Sequence, residues 1–501
     1  MIKKPSVSKL IFVVSLHLVF LPDLALAEVD RHGVDLKKQT CRVCGMNIEE
    51  YKRTAGRLVY KDGSYEYTCG VACTFRIIDE EGGIGAFQSV TVHDWNTGKE
   101  IDATQATYVV GSEVIPDMIP NYIAFETREA AEKFAAERGG DIMDFNLVFE
   151  DSSPRGNTVP FRVRTAVTPG RNAFSAGVTY GYTQKDQVKM HESGVDPSSF
   201  IARNPSQPRT PNELQIQTQA LVFNWSPTDR MALFMNLPWS ERQVTGYQRQ
   251  VIRNPKTGMP MKDPVTGITK TKIMDTTSNA NGIGDIALEM RYNLWRSSHF
   301  DKWFTTLVGT TLPTGNFNDL RKRDLVTGNQ IVAQAPGMQL GKGTATFYGG
   351  LIYSQRWEDF WFHGNLFYQA NPENNDHYSY GDVSTAAIGL HYTPSYDLVL
   401  GVEMDAIYTD KNQDGRVRIG NTGGTEANVA AVFDYRMFNA GGGFFSIRGA
   451  AGLPFYQDLN YQDIRSPLGG PARQVQLGEG FFANIAITWQ TRFAPEDQVH
   501  Y

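Results

Sequence analysis

Cysteine is nearly absent from this chain: its 501 residues include four, all between positions 41 and 73. A scaffold held by many disulfides is thereby excluded, and any thiol chemistry is confined to one short region. Long apolar runs are scarce too. The clearest, 10–21, is about twelve residues, against the roughly 20 that a spanning helix requires. Positive charge is not in excess, with 48 Lys and Arg against 54 Asp and Glu and a net charge of −6, and no basic stretch is interleaved with aromatics, so a nucleic-acid partner is not expected. No serine, histidine and acid set in a recognised order, phosphate loop or dinucleotide fingerprint is present, so the chain is read as a non-enzyme.

What is present begins with an export signal. Lys3 and Lys4 precede the apolar run, and Ala25-Leu-Ala27 has the small-residue spacing of a signal peptidase site, which predicts a signal peptide over 1–27 and a mature start near Glu28. No cysteine follows to take a lipid, so the expectation is an exported protein without a lipid anchor.

The cysteines form two pairs, Cys41-Arg-Val-Cys44-Gly-Met46 and Cys69-Gly-Val-Ala-Cys73. Residues 57–60 and 65–68 read as two strands around a Lys61-Asp-Gly-Ser64 turn, and a helix over 71–78 sets Cys69 and Cys73 four apart on one face. Four sulfurs can thus surround one ion. Thiolates at tetrahedral corners suit Zn(II), whereas thiolate with thioether, drawing on Met46 and Met118, suits Cu(I). Two disulfides are the competing reading for an exported chain, and a dithiol redox couple is a third. His93, in Val92-His-Asp-Trp95, is a weaker ligand candidate and reads better as a residue on a half-exposed strand. Further on, 107–110 reads as a strand and 127–138 as a helix capped by Thr127, with Ala130, Ala131, Phe134 and Ala135 inward and Gly139-Gly140 ending it.

Cys-Arg-Val-Cys-Gly-Met, the Lys-Asp-Gly turn, Ile101-Asp-Ala103, Tyr108-Val-Val-Gly-Ser112 followed by Met118, and Ile123-Ala-Phe125 before a helix ending in Gly-Gly together resemble the NosL family, copper-binding accessory proteins of nitrous oxide reductase assembly. The likeness covers about 110 residues. It implies a periplasmic Cu(I) site, carried over to Cys44, Met46 and Met118. The lipidated cysteine usual in that family is missing, and the added pair Cys69 and Cys73 is more like treble-clef heavy-metal domains.

Residues 151–169, with Pro154, Gly156, Pro160 and Pro169, read as a linker between a domain at 38–150 and a second unit at 170–493, with a tail at 494–501. In the second unit apolar and polar residues alternate, as in Ile286, Leu288, Met290, Tyr292 and Leu294 against Glu289, Arg291 and Asn293, and in Leu400, Val402 and Met404 against Gly401, Glu403 and Asp405. Twelve strands are expected, beginning near Phe174, Leu214, Met231, Gly282, Trp303, Gly343, Asp359, Gly381, Tyr396, Gly423, Phe444 and Gln474. Tight and long connections alternate strictly between them, which is the rhythm of an outer-membrane barrel. Trp225, Trp239, Trp295, Trp303, Trp357 and Trp361 are expected in two interfacial girdles. Gly282-Ile-Gly-Asp-Ile and Leu312-Pro-Thr-Gly315 resemble outer-membrane transporter-like barrels of aromatic-degradation clusters. Asp434, Arg436, Glu289, Arg291, Glu403 and Asp405 should face the lumen, lining a water path or pairing with one another. Asp410-Lys-Asn-Gln-Asp414-Gly begins like a calcium loop, but Asn421 stands where a bidentate glutamate is needed, so a solvated turn is the better reading. Arg321-Lys-Arg323 reads as a polar loop.

The expected fold is therefore an α+β metal-binding domain followed by a transmembrane antiparallel β-barrel of about 12 strands. The expected function is binding of Cu(I), with zinc the alternative, by a periplasmic Cys/Met domain and its handling at an outer-membrane pore. The other reading is a small-solute channel whose cysteine domain is a zinc- or disulfide-held docking module. Expected partners are the metal ion, outer-membrane lipid and a periplasmic copper protein.

Overall fold

Each half of the chain follows its own period, and the computed structural model separates them accordingly. It describes residues 39–152 and 160–492, apart from 119, 266, 298–299, 318–321, 324–329, 332–335 and 469; the export segment and the tail 494–501 lie outside these. In the first unit, β1 (Gly56–Tyr60) and β2 (Tyr65–Thr68) form a hairpin. Its turn is set by Gly63 at φ +85° and by Asp62 Oδ1, which accepts from Ser64 N at 2.9 Å. With β3 (Phe87–His93) and β4 (Glu100–Asp102) the hairpin makes a sheet in the order β2-β1-β3-β4.

Helix α1 (Val71–Glu80) leaves β2 directly and buries Val71, Cys73, Phe75, Ile77 and Ile78. A second sheet puts β5 (Thr107–Val110) between β6 (Tyr122–Phe125) and β7 (Asp141–Met143). Thr127 caps α2 (Arg128–Arg138), its side chain accepting from Ala130 N at 3.2 Å, and Gly139 at φ +70° ends it. Last comes α3 (Phe145–Ser152), which sets Phe145 and Phe149 against Phe75. The core of this unit gathers Tyr51, Leu58, Phe75, Val92 and Tyr108 around the cysteines. Each such side chain contributes about 1.5–3 kcal/mol by leaving water.

The second unit is a closed barrel. Its twelve strands are Ala173–Lys185, Arg209–Trp225, Met231–Val251, a fourth in two pieces (Thr271–Ile283 and Ile286–Arg296), Lys302–Leu312, Thr346–Trp357, Phe360–Ala370, Val383–Ser395, Leu398–Thr409, Gly424–Ala440, Gly443–Leu459 and Phe481–Arg492. Each pairs antiparallel with the next, and the last pairs with the first from Phe481↔Gln184 to Arg492↔Ala173. Closure gives every wall strand two neighbours, the condition for crossing lipid with strands. Among the described residues no helix is long and apolar enough to cross a membrane.

The expected alternation is realised: Leu400, Val402 and Met404 are exposed on the outside, while Glu403 and Asp405 are buried within. Trp225, Trp239, Trp295 and Trp357 are exposed as a girdle requires. Trp303 and Trp361 are a correction, being 2% and 1% exposed and stacked on each other inside, with centroids 5.3 Å apart. Trp361 shares the inward parity of His363, and the two-residue period overrides the aromatic preference for the interface.

The link between the units is more than a tether. Residues 160–169 run through the barrel interior, where Glu403 accepts from the backbone N–H of Phe161 at 3.0 Å, Arg162 at 2.5 Å and Val163 at 3.1 Å. Ala166 N donates to Ser354 Oγ at 2.8 Å, and Arg162 is clamped by Asp405. Four of the expected lumen charges therefore pair with one another or with this strap, Glu403 and Asp405 as above and Glu289 with Arg291 at 2.7 Å and Arg164 at 3.2 Å, whereas Arg436 turns to Asp397 at 4.0 Å.

Candidate metal centre

The first cysteine pair sits on a tight knuckle. Gly45 N donates to Cys41 O at 2.7 Å and Cys41 N to Met46 O at 2.8 Å, a turn that Gly45 makes with φ +76°. Arg42, between the two cysteines, holds the knuckle to β2 and α1 through Glu66 at 2.9 Å, Glu80 at 3.1 Å and Glu81 at 3.3 Å. The second pair straddles the start of α1, Cys69 before it and Cys73 in its first turn. That junction brings the pairs together. Cys44 and Cys69 Sγ lie 3.1 Å apart, Cys69 and Cys73 Sγ 3.7 Å, and the four sulfurs all fall within 4.8 Å of one another. A tetrahedral zinc with 2.3 Å bonds has sulfur edges of about 3.8 Å, so the set suits one ion with small adjustment.

The four cysteines are free and buried. Burial opposes ionisation of Cys41, but contacts from Cys44, Cys69 and Cys73 outweigh it and hold Cys41 well below the ordinary thiol. Burial, then the contact with Cys41, pushes Cys44 and Cys69 up, and contact with Cys41 does most to push Cys73 up. Such a quartet holds one negative charge readily and several only with a cation among them.

Met46 is 4% exposed, and Met118 is half-buried against the same core. Met118 is positioned through its neighbour: the Asp117 carboxylate lies over Gly70 at the head of α1, where an added Cβ would be 1.5 Å from Oδ2. Cys44, Cys73, Met46 and Met118 line a cavity of about 250 Å³, while Cys41 and Cys69 sit behind it. His93 is not part of the centre, since its Nδ1 meets Ala55 O at 2.6 Å. The Asp410 loop is a hydrogen-bonded turn in which Asn412 Oδ1 accepts from Gly381 N at 2.9 Å.

The far wall of the cavity is the barrel: Tyr396, Asp397, Asp434 and Arg436, with strap residues Val167, Thr168 and Pro169. The domain docks on the end of the barrel that carries the short turns. Asn439 Nδ2 donates to Arg42 O at 2.7 Å, and the guanidiniums of Arg76 and Arg436 lie 4.7 and 5.1 Å from the Tyr396 ring centre. A Cβ on Gly45 would come 2.3 Å from Gly443 O. Burial pushes the Tyr396 phenol up; Arg436 opposes this, and negative charge on Cys73 or Cys44 adds to it. None of these barrel residues was legible as part of the site, because they stand some 350 positions away in sequence and only the barrel register brings them under the cysteines.

Fold and site together define a protein that carries a buried four-cysteine domain on a closed, twelve-stranded antiparallel β-barrel. Residues 35–153 match the NosL family, and residues 202–445 match the family described as the putative MetA-pathway of phenol degradation. No curated protein matches the chain. Among solved structures, an outer membrane channel from Pseudomonas putida F1 aligns at 14% identity and a TM-score of 0.43, over 67% of this chain and 100% of its own. The copper chaperone NosL from Shewanella denitrificans aligns at 25% identity and 0.21, over 23% and 95%. A Pseudomonas aeruginosa FadL homologue aligns at 10% identity and 0.33, over 64% and 90%.

Proposed function

We propose that this protein binds Cu(I) in the periplasm through Cys41, Cys44, Cys69, Cys73, Met46 and Met118 and handles it at the mouth of an outer-membrane barrel. The observation that carries the reading is the shared cavity: cysteine thiols and methionine thioethers form one wall and the barrel mouth the other. Soft ligands favour Cu(I), and the match to a copper-binding family points the same way. Short turns are periplasmic in such barrels, which supports a periplasmic site for the docked domain. A periplasmic copper protein is the natural partner, lipid surrounds the barrel, and no catalytic step is assigned.

One observation favours a second reading. Cys41 and Cys69 are fully buried in the domain core, as suits a structural zinc site that supports folding by about 10–16 kcal/mol. The barrel would then be a small-solute channel and the domain its docking module. Metal analysis of the reduced full chain separates the two. With copper as the physiological ion, Met46→Ala weakens Cu(I) retention and leaves zinc retention nearly unchanged, and Cys44→Ser abolishes both. Native protein that holds no metal and shows no free thiols would sink the copper reading in favour of disulfides.

A further inference from the structure

The cavity shared by domain and barrel carries polar groups that the cysteine centre leaves unused. Arg76 stands three residues after Cys73 on α1, so the two lie on one face with Cβ atoms about 5–6 Å apart. It is 8% exposed and lines the cavity. Its Nε donates to Glu80 at 2.6 Å, and its guanidinium lies 4.7 Å from the Tyr396 ring centre. These contacts fix the group without using it up: Nη1 is buried with no hydrogen-bond partner among the described residues, and Nη2 makes no hydrogen bond to them either. A buried donor without an acceptor is costly, and a guanidinium presents its donors in a rigid fork that matches a carboxylate.

Across the cavity, on the barrel side, the half-buried Asp434 carboxylate is likewise without a hydrogen bond or salt bridge among the described residues. The other charged groups on the walls are engaged. Arg436 Nη2 donates to Asn439 Oδ1 at 2.7 Å, and its Nε lies 4.0 Å from Asp397. Asp151 accepts from Tyr122 Oη at 2.8 Å, and Arg356 has partners of its own. Three guanidiniums and three carboxylates line the space, so a net anion or cation gains little overall, whereas a zwitterion is matched at both ends. The cavity of about 250 Å³ is smaller than the roughly 300–1,000 Å³ that holds a drug-sized molecule, so the occupant is no larger than a small metabolite.

We propose that this cavity binds a free amino thiol acid of the cysteine class, its carboxylate on Arg76, its ammonium on Asp434 and its sulfur beside Cys44 and Cys73, where it shares the metal. The sharing rests on the copper reading; the amino-acid site does not. The incoming thiol binds copper as thiolate and gives its proton to solvent, and the ion stays Cu(I) throughout, so no oxidant or reductant is required.

The test is calorimetric titration of the full chain, reduced and in detergent, both metal-free and loaded with Cu(I). Heat-modifiable migration confirms that each variant is a folded barrel. L-cysteine is expected to bind as one saturable equivalent. Arg76→Gln should weaken L-cysteine and 3-mercaptopropionate by at least about tenfold and leave cysteamine unchanged, since cysteamine has no carboxylate. Asp434→Asn should weaken L-cysteine and cysteamine and leave 3-mercaptopropionate, which has no ammonium, unchanged. Loading with Cu(I) should strengthen L-cysteine and not L-serine. Absence of saturable binding, or variants that weaken all three thiols alike, overturns the site. If the chain retains Cu(I) but loading gives L-cysteine no advantage over L-serine, the proposal is overturned while the copper reading stands. If the chain retains no Cu(I) and the Arg76 and Asp434 pattern persists, the copper reading falls and the amino-acid site remains.

Discussion

Gly45 meets two separate demands. It must adopt φ +76° to close the cysteine knuckle, and it must leave room for Gly443 O of the barrel, 2.3 Å from where a Cβ would stand. A side chain in that conformation costs about 1–2 kcal/mol before the clash is counted. Gly45→Ala is expected to keep the four thiols but to lift the knuckle from the barrel, so that a chelator strips Cu(I) faster from an unchanged number of sites; an unaltered stripping rate would show that the barrel does not shield the centre. The thiols themselves predict a pH dependence. Cys44, Cys69 and Cys73 have raised values in the folded metal-free domain, so their contribution favours folding below the ordinary thiol range, about pH 8.5, and fades as pH rises beyond it. Thermal melts of the metal-free protein should therefore fall above that pH, and serine at Cys69 should flatten the fall. At this scale the clustering of the four cysteines was legible from spacing, because cysteines at knuckle and helix-start positions carry their geometry with them, whereas Met118 entered only through the family resemblance. Tyr396 was not legible as part of the site, since nothing local distinguishes an inward-facing tyrosine from any other.

Among the elements, the strap at 160–169 differs most from its sequence reading. Its proline-containing, aperiodic sequence suits a linker, and it does join the two units; its interior path depends on acceptors supplied by strands far along the chain. Barrel strands were legible for the opposite reason, since a two-residue period and alternating connection lengths are local signals. The strap held by Glu403 fills part of the lumen, and Glu403→Gln exchanges a carboxylate that accepts from three N–H groups for an amide with weaker acceptance. Loss of about 1–3 kcal/mol at such a buried cluster should free the strap some of the time. Conductance in planar bilayers is then expected to rise and to fluctuate in Glu403→Gln and Asp405→Asn, compared with a small, steady wild-type conductance. Equal conductance in all three would mean that the strap is not what limits passage.

For the whole molecule, the decisive relation is which end of the barrel carries the domain. All five tight connections lie at one end, together with the start of the first strand at Ala173 and the end of the last at Arg492, because an even number of strands returns the chain to its starting side. Arg42, Gly45 and Arg76 meet Asn439, Gly443 and Tyr396 at that same end. The opposite end carries the long connections, including the exposed hairpin region around Met259 and Val265. Outer-membrane barrels keep short turns toward the periplasm and long loops outside. Protease added to intact cells is therefore expected to cut within 250–280 and to leave 41–149 whole, and permeabilising the outer membrane should be needed before antibody to the cysteine domain binds. Heating in detergent should shift the gel mobility of the full chain, as a closed barrel unfolds only then. A cysteine domain degraded first in intact cells would invert the molecule and place the centre at the exterior.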